Sequence, residues 1–159
     1  MDRISTLESV LSRQLAWISA ADGRVNFIFP VATAMAGLLA AVLPKFSTLS
    51  GQAAWLSAAA AVLLGLSIAF AAFATFPRTT SKAGSIIFFG EIESETMDAY
   101  VTRAIDCSPD SYERDVARQI YINAKIASAK FAWIKRSLAS LFLSAAPWAY
   151  SVYLLYQAK

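Results

Sequence analysis

The chain has 159 residues, 57 % of them hydrophobic, and its mean hydropathy is +0.50. That is too apolar for an ordinary soluble domain, and the apolar residues come in blocks, so an integral membrane protein is the first reading. The net charge is +3, there is no histidine, and Cys107 is the one cysteine, which excludes an internal disulfide, Ser–His and Cys–His nucleophiles and His-containing zinc sites. No P-loop, G-x-G-x-x-G or G-x-S-x-G motif occurs. The sequence therefore predicts a protein that is not an enzyme, with no catalytic residue, no metal site and no cofactor.

Residues 1–24 predict an amphipathic helix. Ser5 and Glu8 have capping-box spacing, and Ile4, Leu7, Leu11, Gln14 or Leu15, and Ile18 follow the helical period, with Val10 and Trp17 widening the stripe. Gly23 marks a hinge or a tolerated break. Residues 25–43 form a first charge-free stretch, long enough for a hydrocarbon core of ~30 Å, with Pro30 near its start. A short connection, 44–52, carries Lys45 alone. Residues 53–76 make the second predicted span. Within it Ser57, Ala61, Gly65 and Ala69 fall four apart, a stripe of small residues suited to close helix packing, either within the chain or between copies in a homo-oligomer.

Residues 77–136 hold most of the charge. Ser85–Ile92 is apolar and partly β-branched, which fits one short strand or an extended strap over the helices, and a strap needs no partner strand. Ser94–Ile105 predicts a short helix with Met97, Val101 and Ile105 on one face. Glu91, Glu93, Glu95 and Asp98 match no calcium loop. From Ser108, an N-cap with Pro109 behind it, a long helix runs to Tyr156. Its charges stop at Arg136, and residues 137–156 form the third predicted span, with Pro147 at mid-depth. The wet part of this helix, about 28 residues, is roughly 40 Å long. Residues 157–159 are a tail.

Basic residues set the expected orientation. Residues 1–24 and 77–136 carry twelve Lys and Arg, and the other two flanks carry two. The positive-inside rule places the N-terminus and 77–136 in the cytoplasm. The spans hold no Asp, Glu, Lys, Arg or His, which argues against a pump, an ion-coupled transporter or a small permease subunit. The fold expected is thus all-α, with three transmembrane helices, a cytoplasmic amphipathic helix and a cytoplasmic helical segment continuous with the last span.

In that segment Arg103, Arg114, Arg118, Lys125 and Lys130 could hold a phosphate. Phe88, Phe89, Tyr112 and Tyr121 could stack on a base, and the Gln119 and Asn123 amides could pair with a base edge. Solvated charge and core aromatics explain the same residues without a ligand.

The combination Arg13-Gln14-Leu15-Ala16-Trp17-Ile18, Ala21-Asp22, Ser85-Ile86-Ile87-Phe88-Phe89-Gly90-Glu91-Ile92, Ala117-Arg118-Gln119-Ile120, Lys125-Ile126-Ala127 and Lys130-Phe131 resembles the transmembrane effector family of Pycsar antiphage systems over essentially the whole chain. The resemblance implies a bacterial inner-membrane effector of abortive infection, activated by cyclic CMP or cyclic UMP from a partner pyrimidine cyclase. It implies no nucleic-acid polymer. With no separate β-rich cyclic-nucleotide domain in the sequence, it points to the helical segment for sensing, with Phe88, Phe89, Gly90, Arg118, Gln119, Tyr121 and Lys125 as first candidates. The alternative is a membrane-anchored helical scaffold that recruits a partner protein and needs no ligand.

Overall fold

The computed structural model describes residues 2–43, 51–76 and 84–157. Most of the expected connection 44–52, the start of the segment expected from 77, and the last two residues of the tail lie outside the described residues. Five helices follow in order: α1 (Arg3–Val42), α2 (Gly51–Thr75), α3 (Phe89–Ser94), α4 (Met97–Ile105) and α5 (Pro109–Gln157). No strand occurs among the described residues. Helices α1, α2 and α5 are each long and apolar enough to cross a membrane.

Helix α1 is continuous through Gly23 and Pro30, and α5 through Pro147. The capping box expected at Ser5 and Glu8 does not form, because α1 begins earlier. The Ile4 backbone N–H donates to the Asp2 carboxylate at 3.4 Å, and the Ser5 and Thr6 hydroxyls bond back to the Asp2 carbonyl. At α5 the cap is Ser108, whose hydroxyl accepts the Ser111 N–H at 3.2 Å. The helix expected over Ser94–Ile105 starts at Met97 instead, because Thr96 caps it by accepting the Ala99 N–H.

The chain divides into two compact units. A spanning unit comprises the described residues of 21–76 and 130–159, and a polar unit those of 1–20 and 77–129. In the spanning unit α1 and α5 run parallel: Asp22 pairs with Lys130, Arg24 lies over Phe131, and the Trp148 indole donates to the Met35 carbonyl at 2.8 Å. Helix α2 runs antiparallel to them, since Ser57 bonds Ser151 while Ser67 bonds Ser137. Helices α1 and α5 therefore enter this unit at one end and α2 enters at the other, as three successive crossings require.

The buried positions show how they pack. In α1 they are Ala21, Val25, Ile28, Ala32 and Leu39; in α2, Ser57, Ala60, Leu64, Ser67, Ala71 and Ala74; in α5, Lys130, Ile134, Ser137, Leu141, Ser144, Ser151 and Leu155, with Ser140 buried beside Leu141 and off this sequence of steps. The steps alternate three and four, with one position skipped in α1 and one in α5. A repeat of 3.5 residues is the signature of helices in left-handed supercoil packing. Small residues fill much of it. The Ser67 and Ser137 hydroxyls each reach the other helix's carbonyl, at 3.0 and 2.7 Å, so the backbones lie close and no hydroxyl is left unpaired in an apolar setting.

Candidate functional site

The polar unit is organised by one buried carboxylate. Asp115, on the inner face of α5, accepts the Ser85 hydroxyl at 3.0 Å and the Ile86 N–H at 2.9 Å through the same oxygen. Ser85 is itself buried, and its oxygen also accepts from the Gln119 amide at 3.2 Å and from the Phe88 N–H at 3.1 Å. From α4, Tyr100 donates to the Ile86 carbonyl and Arg103 to the Ser85 carbonyl, both at 3.2 Å. Arg103 is fixed in turn by Glu95 at 3.0 Å. The Ser85 hydroxyl and carbonyl and both backbone groups of Ile86 thus have partners, which lets an irregular segment lie against helices.

Residues 84–88 are therefore a strap, not a strand, and the helical turn α3 follows it. Two glycines are required here for different reasons. Gly84 has φ +94°, a conformation that L side chains rarely adopt. Gly90 lies under the Phe88 ring, whose Cε1 would be 2.7 Å from any Cβ placed there. The rings of Phe88 and Phe89 are 4.8 Å apart, with Phe89 exposed.

The seven residues expected to sense a ligand fall into two groups. Phe88, Phe89, Gly90 and Gln119 belong to the strap and its anchor. The Gln119 amide donates to Ser85, and the Asn123 amide donates to the Gln119 backbone carbonyl at 2.9 Å. Arg118, Tyr121 and Lys125 lie on the opposite, exposed face of α5 together with Arg114. Steps of four, three and four put these four on one stripe. The Lys125 ammonium sits over the Tyr121 ring at 4.6 Å, while Arg114 and Arg118 have no hydrogen bond or ion pair among the described residues. No bond or ring contact joins the two groups. Sequence reasoning missed Asp115 and Ser85 as the centre of the unit; the signal available was a lone acid on the apolar face that begins at Tyr112 and Val116.

The N-terminal part of α1 is tied to α5 by the Arg3–Glu113 ion pair at 3.3 Å and by Tyr112, whose phenol donates to Glu8 at 2.6 Å. That bond above all, then burial and the negative charge of Glu8 and Asp115, holds the Tyr112 phenol above its usual titration range. The small-residue stripe of α2 divides as well: Ser57 faces the core, whereas Ala61 and Gly65 are exposed and Ala69 is half-buried. A step of four gains about 40° per turn, so such a stripe winds out of any straight seam.

The family model described as "Pycsar effector protein domain" matches residues 6–157. The chain belongs to the Pycsar effector family. Over 139 residues it is 26 % identical to the Pycsar effector protein PtPycTM of Propioniciclava tarda, covering 82 % of this chain and 69 % of that one. No solved structure matches it. Family membership implies an antiphage defence effector, and its three candidate spans make it a membrane protein. The strap, the Asp115 anchor and the exposed stripe of α5 all lie inside the matched region.

Proposed function

We propose that this chain is a non-enzymatic, ligand-gated effector that responds to cyclic CMP or cyclic UMP from a partner pyrimidine cyclase and impairs the bacterial inner membrane, ending an infection with the death of the cell. The observation that carries the reading is the Arg114, Arg118, Tyr121 and Lys125 stripe, in a family of defence effectors. A cyclic nucleotide monophosphate presents one phosphodiester charge and one flat base. An arginine fork without a partner suits the first, and an exposed tyrosine ring suits the second.

The placement of basic residues supports an orientation with the polar unit in the cytoplasm, where the messenger is made. The ligand acts by binding one arrangement of the polar unit better than the other. Helices α1 and α5 each contribute to both units, and α5 carries the change into the third span. The test is membrane integrity in cells that express this chain with an active or an inactive pyrimidine cyclase, followed by dye uptake and membrane potential. Damage with the active cyclase alone is expected, and Arg118→Ala should abolish it while leaving the protein in the membrane. Equal damage by Arg118→Ala would remove this stripe from sensing; no damage in any sample would favour a scaffold that recruits a partner protein.

A further inference from the structure

The polar unit exposes a second surface with chemistry complementary to the first. On α4, Met97, Val101 and Ile105 are 78 %, 45 % and 76 % exposed, and Phe89 on the adjoining turn α3 is 66 % exposed. Steps of four set the three α4 residues on one face. Large apolar side chains grouped on one short element of a charged unit mark a contact surface, where scattered ones would not. Among the described residues, the exposed charges of α3 and α4 and of the α4 C-cap are of one sign: Glu93, Asp98 and Asp106 are exposed, while the basic residue of α4, Arg103, is turned inward to Glu95 and Ser85.

The sign of the rim decides what covers it. Two α4 faces packed on each other would bring acidic rims together, which is repulsive. The exposed stripe of α5 is the complement. It offers Arg114, Arg118 and Lys125 around Tyr121, an aromatic residue 62 % exposed and of the type that anchors interfaces. Asp98 and Asp106, eight residues apart, are separated by about 12 Å along the helix, and Arg114 and Lys125 by about 16 Å, so the acidic rim fits within the length of the basic one. We infer that the α4 face of one copy docks on the α5 stripe of a second copy of this chain. Such a contact joins two different surfaces. It leaves a free face at each end and builds rings or arrays, not closed pairs. The contact uses the stripe proposed above for the cyclic nucleotide, so docking and ligand compete for Arg118 and Tyr121, and docking is the state without messenger.

Paired single-cysteine chains test it, in membranes from cells that lack any cyclase. With Cys107→Ser as background, Thr102→Cys sits beside the α4 face and Ala117→Cys beside the α5 stripe; both are exposed and neither is part of the proposed contact. A short bismaleimide should join a Thr102→Cys chain to an Ala117→Cys chain carrying a different tag, at several times the yield of either chain with itself. Adding Met97→Asp and Ile105→Asp to the first chain should cut the band about tenfold, the loss expected when a well-buried apolar side chain is removed. A Thr102→Cys chain that cross-links mainly to itself would overturn the inference in favour of a self-paired face. Protection of Thr102→Cys from an aqueous maleimide without any cross-linked species would overturn it in favour of the bilayer surface as the cover. Because no nucleotide is present, neither failure bears on messenger sensing.

Discussion

At the scale of single residues, two ion-accepting sites differ in which partner is buried, and the difference predicts their response to mutation. In the Asp22–Lys130 pair the lysine side chain is 10 % exposed and the aspartate 45 %. Removing the aspartate strands a buried charge, whereas removing the lysine leaves a carboxylate that water can reach. Asp22→Ala should therefore lower resistance to thermal unfolding in detergent more than Lys130→Met does; an equal or reversed order would mean that the pair is solvated. At Asp115 the loss is of a shared acceptor. Asp115→Ala leaves the Ile86 N–H and the Ser85 hydroxyl without it, at a cost of about 1–3 kcal/mol. Amide exchange at Ile86 should speed about tenfold or more, with exchange in the spanning helices unchanged. Tyr112 gives a pH signature. Its phenol titrates above the usual value, so the Glu8 bond contributes fully below the unfolded tyrosine pKa of about 10 and is lost as pH rises through the folded one. The tyrosinate absorbance titration, taken as a difference against Tyr112→Phe, should show a late component that Glu8→Gln moves to lower pH.

At the scale of elements, the serine seam between α2 and α5 sets a limit on side-chain size. Ser67 and Ser137 are fully buried, and each hydroxyl bonds across to the other helix. Cross-helix hydrogen bonds in membrane proteins average only about 0.6 kcal/mol, but added volume in a packed seam costs about 1–3 kcal/mol. Ser137→Ala should accumulate in membranes much as the parent does, and Ser137→Leu should be depleted and protease-sensitive; the opposite order would show that bonding, not approach, holds the seam. This is also where the sequence was most and least legible. The apolar runs that become α1, α2 and α5 followed from length and absence of charge alone, and Ser108 with Pro109 marked the start of α5. The seam itself was obscured because many of its residues are Ser and Ala, which stand out little within an apolar run, and a stripe counted in fours left the buried face after Ser57. The strap was legible as irregular structure over 85–88, since a lone strand would lack a partner, but residues 89–92, expected to continue it, form the first part of α3. Its anchor was not, because Asp115 reads as one more solvated charge until the fold brings Ser85 to it. Phe88, Gln119 and Arg118 were grouped by adjacency to aromatic or basic patterns, while helical phase sends Gln119 inward and Arg118 outward.

At the scale of the whole molecule, the phase of the two shared helices gives a test of how sensing reaches the membrane. In α1 the inward positions Ile4, Leu7, Leu11, Gln14, Ile18, Ala21, Val25, Ile28 and Ala32 alternate steps of three and four without a break. In α5, Val116, Ile120, Asn123, Ala127, Lys130, Ile134 and Ser137 do the same. Within each unit the inward residues of both helices thus follow the same repeat. If α1 and α5 transmit a rotation or a shift to the spans, messenger-dependent damage depends on the number of residues between the two packed stretches of each helix. Inserting one alanine in each helix, after Ala20 and after Ala129, turns each downstream segment by about 100°; inserting seven restores the face to within about 20°. Each unit keeps its own residues in either variant. Both proteins should reach the membrane, and messenger-dependent damage should survive the seven-residue insertion and be lost with the single one. Survival in both would mean that the spans respond to a change in assembly alone. The docking of α4 on a neighbouring α5 would then be the transmitting contact, since it depends on the polar unit's surface and not on its register with the spans.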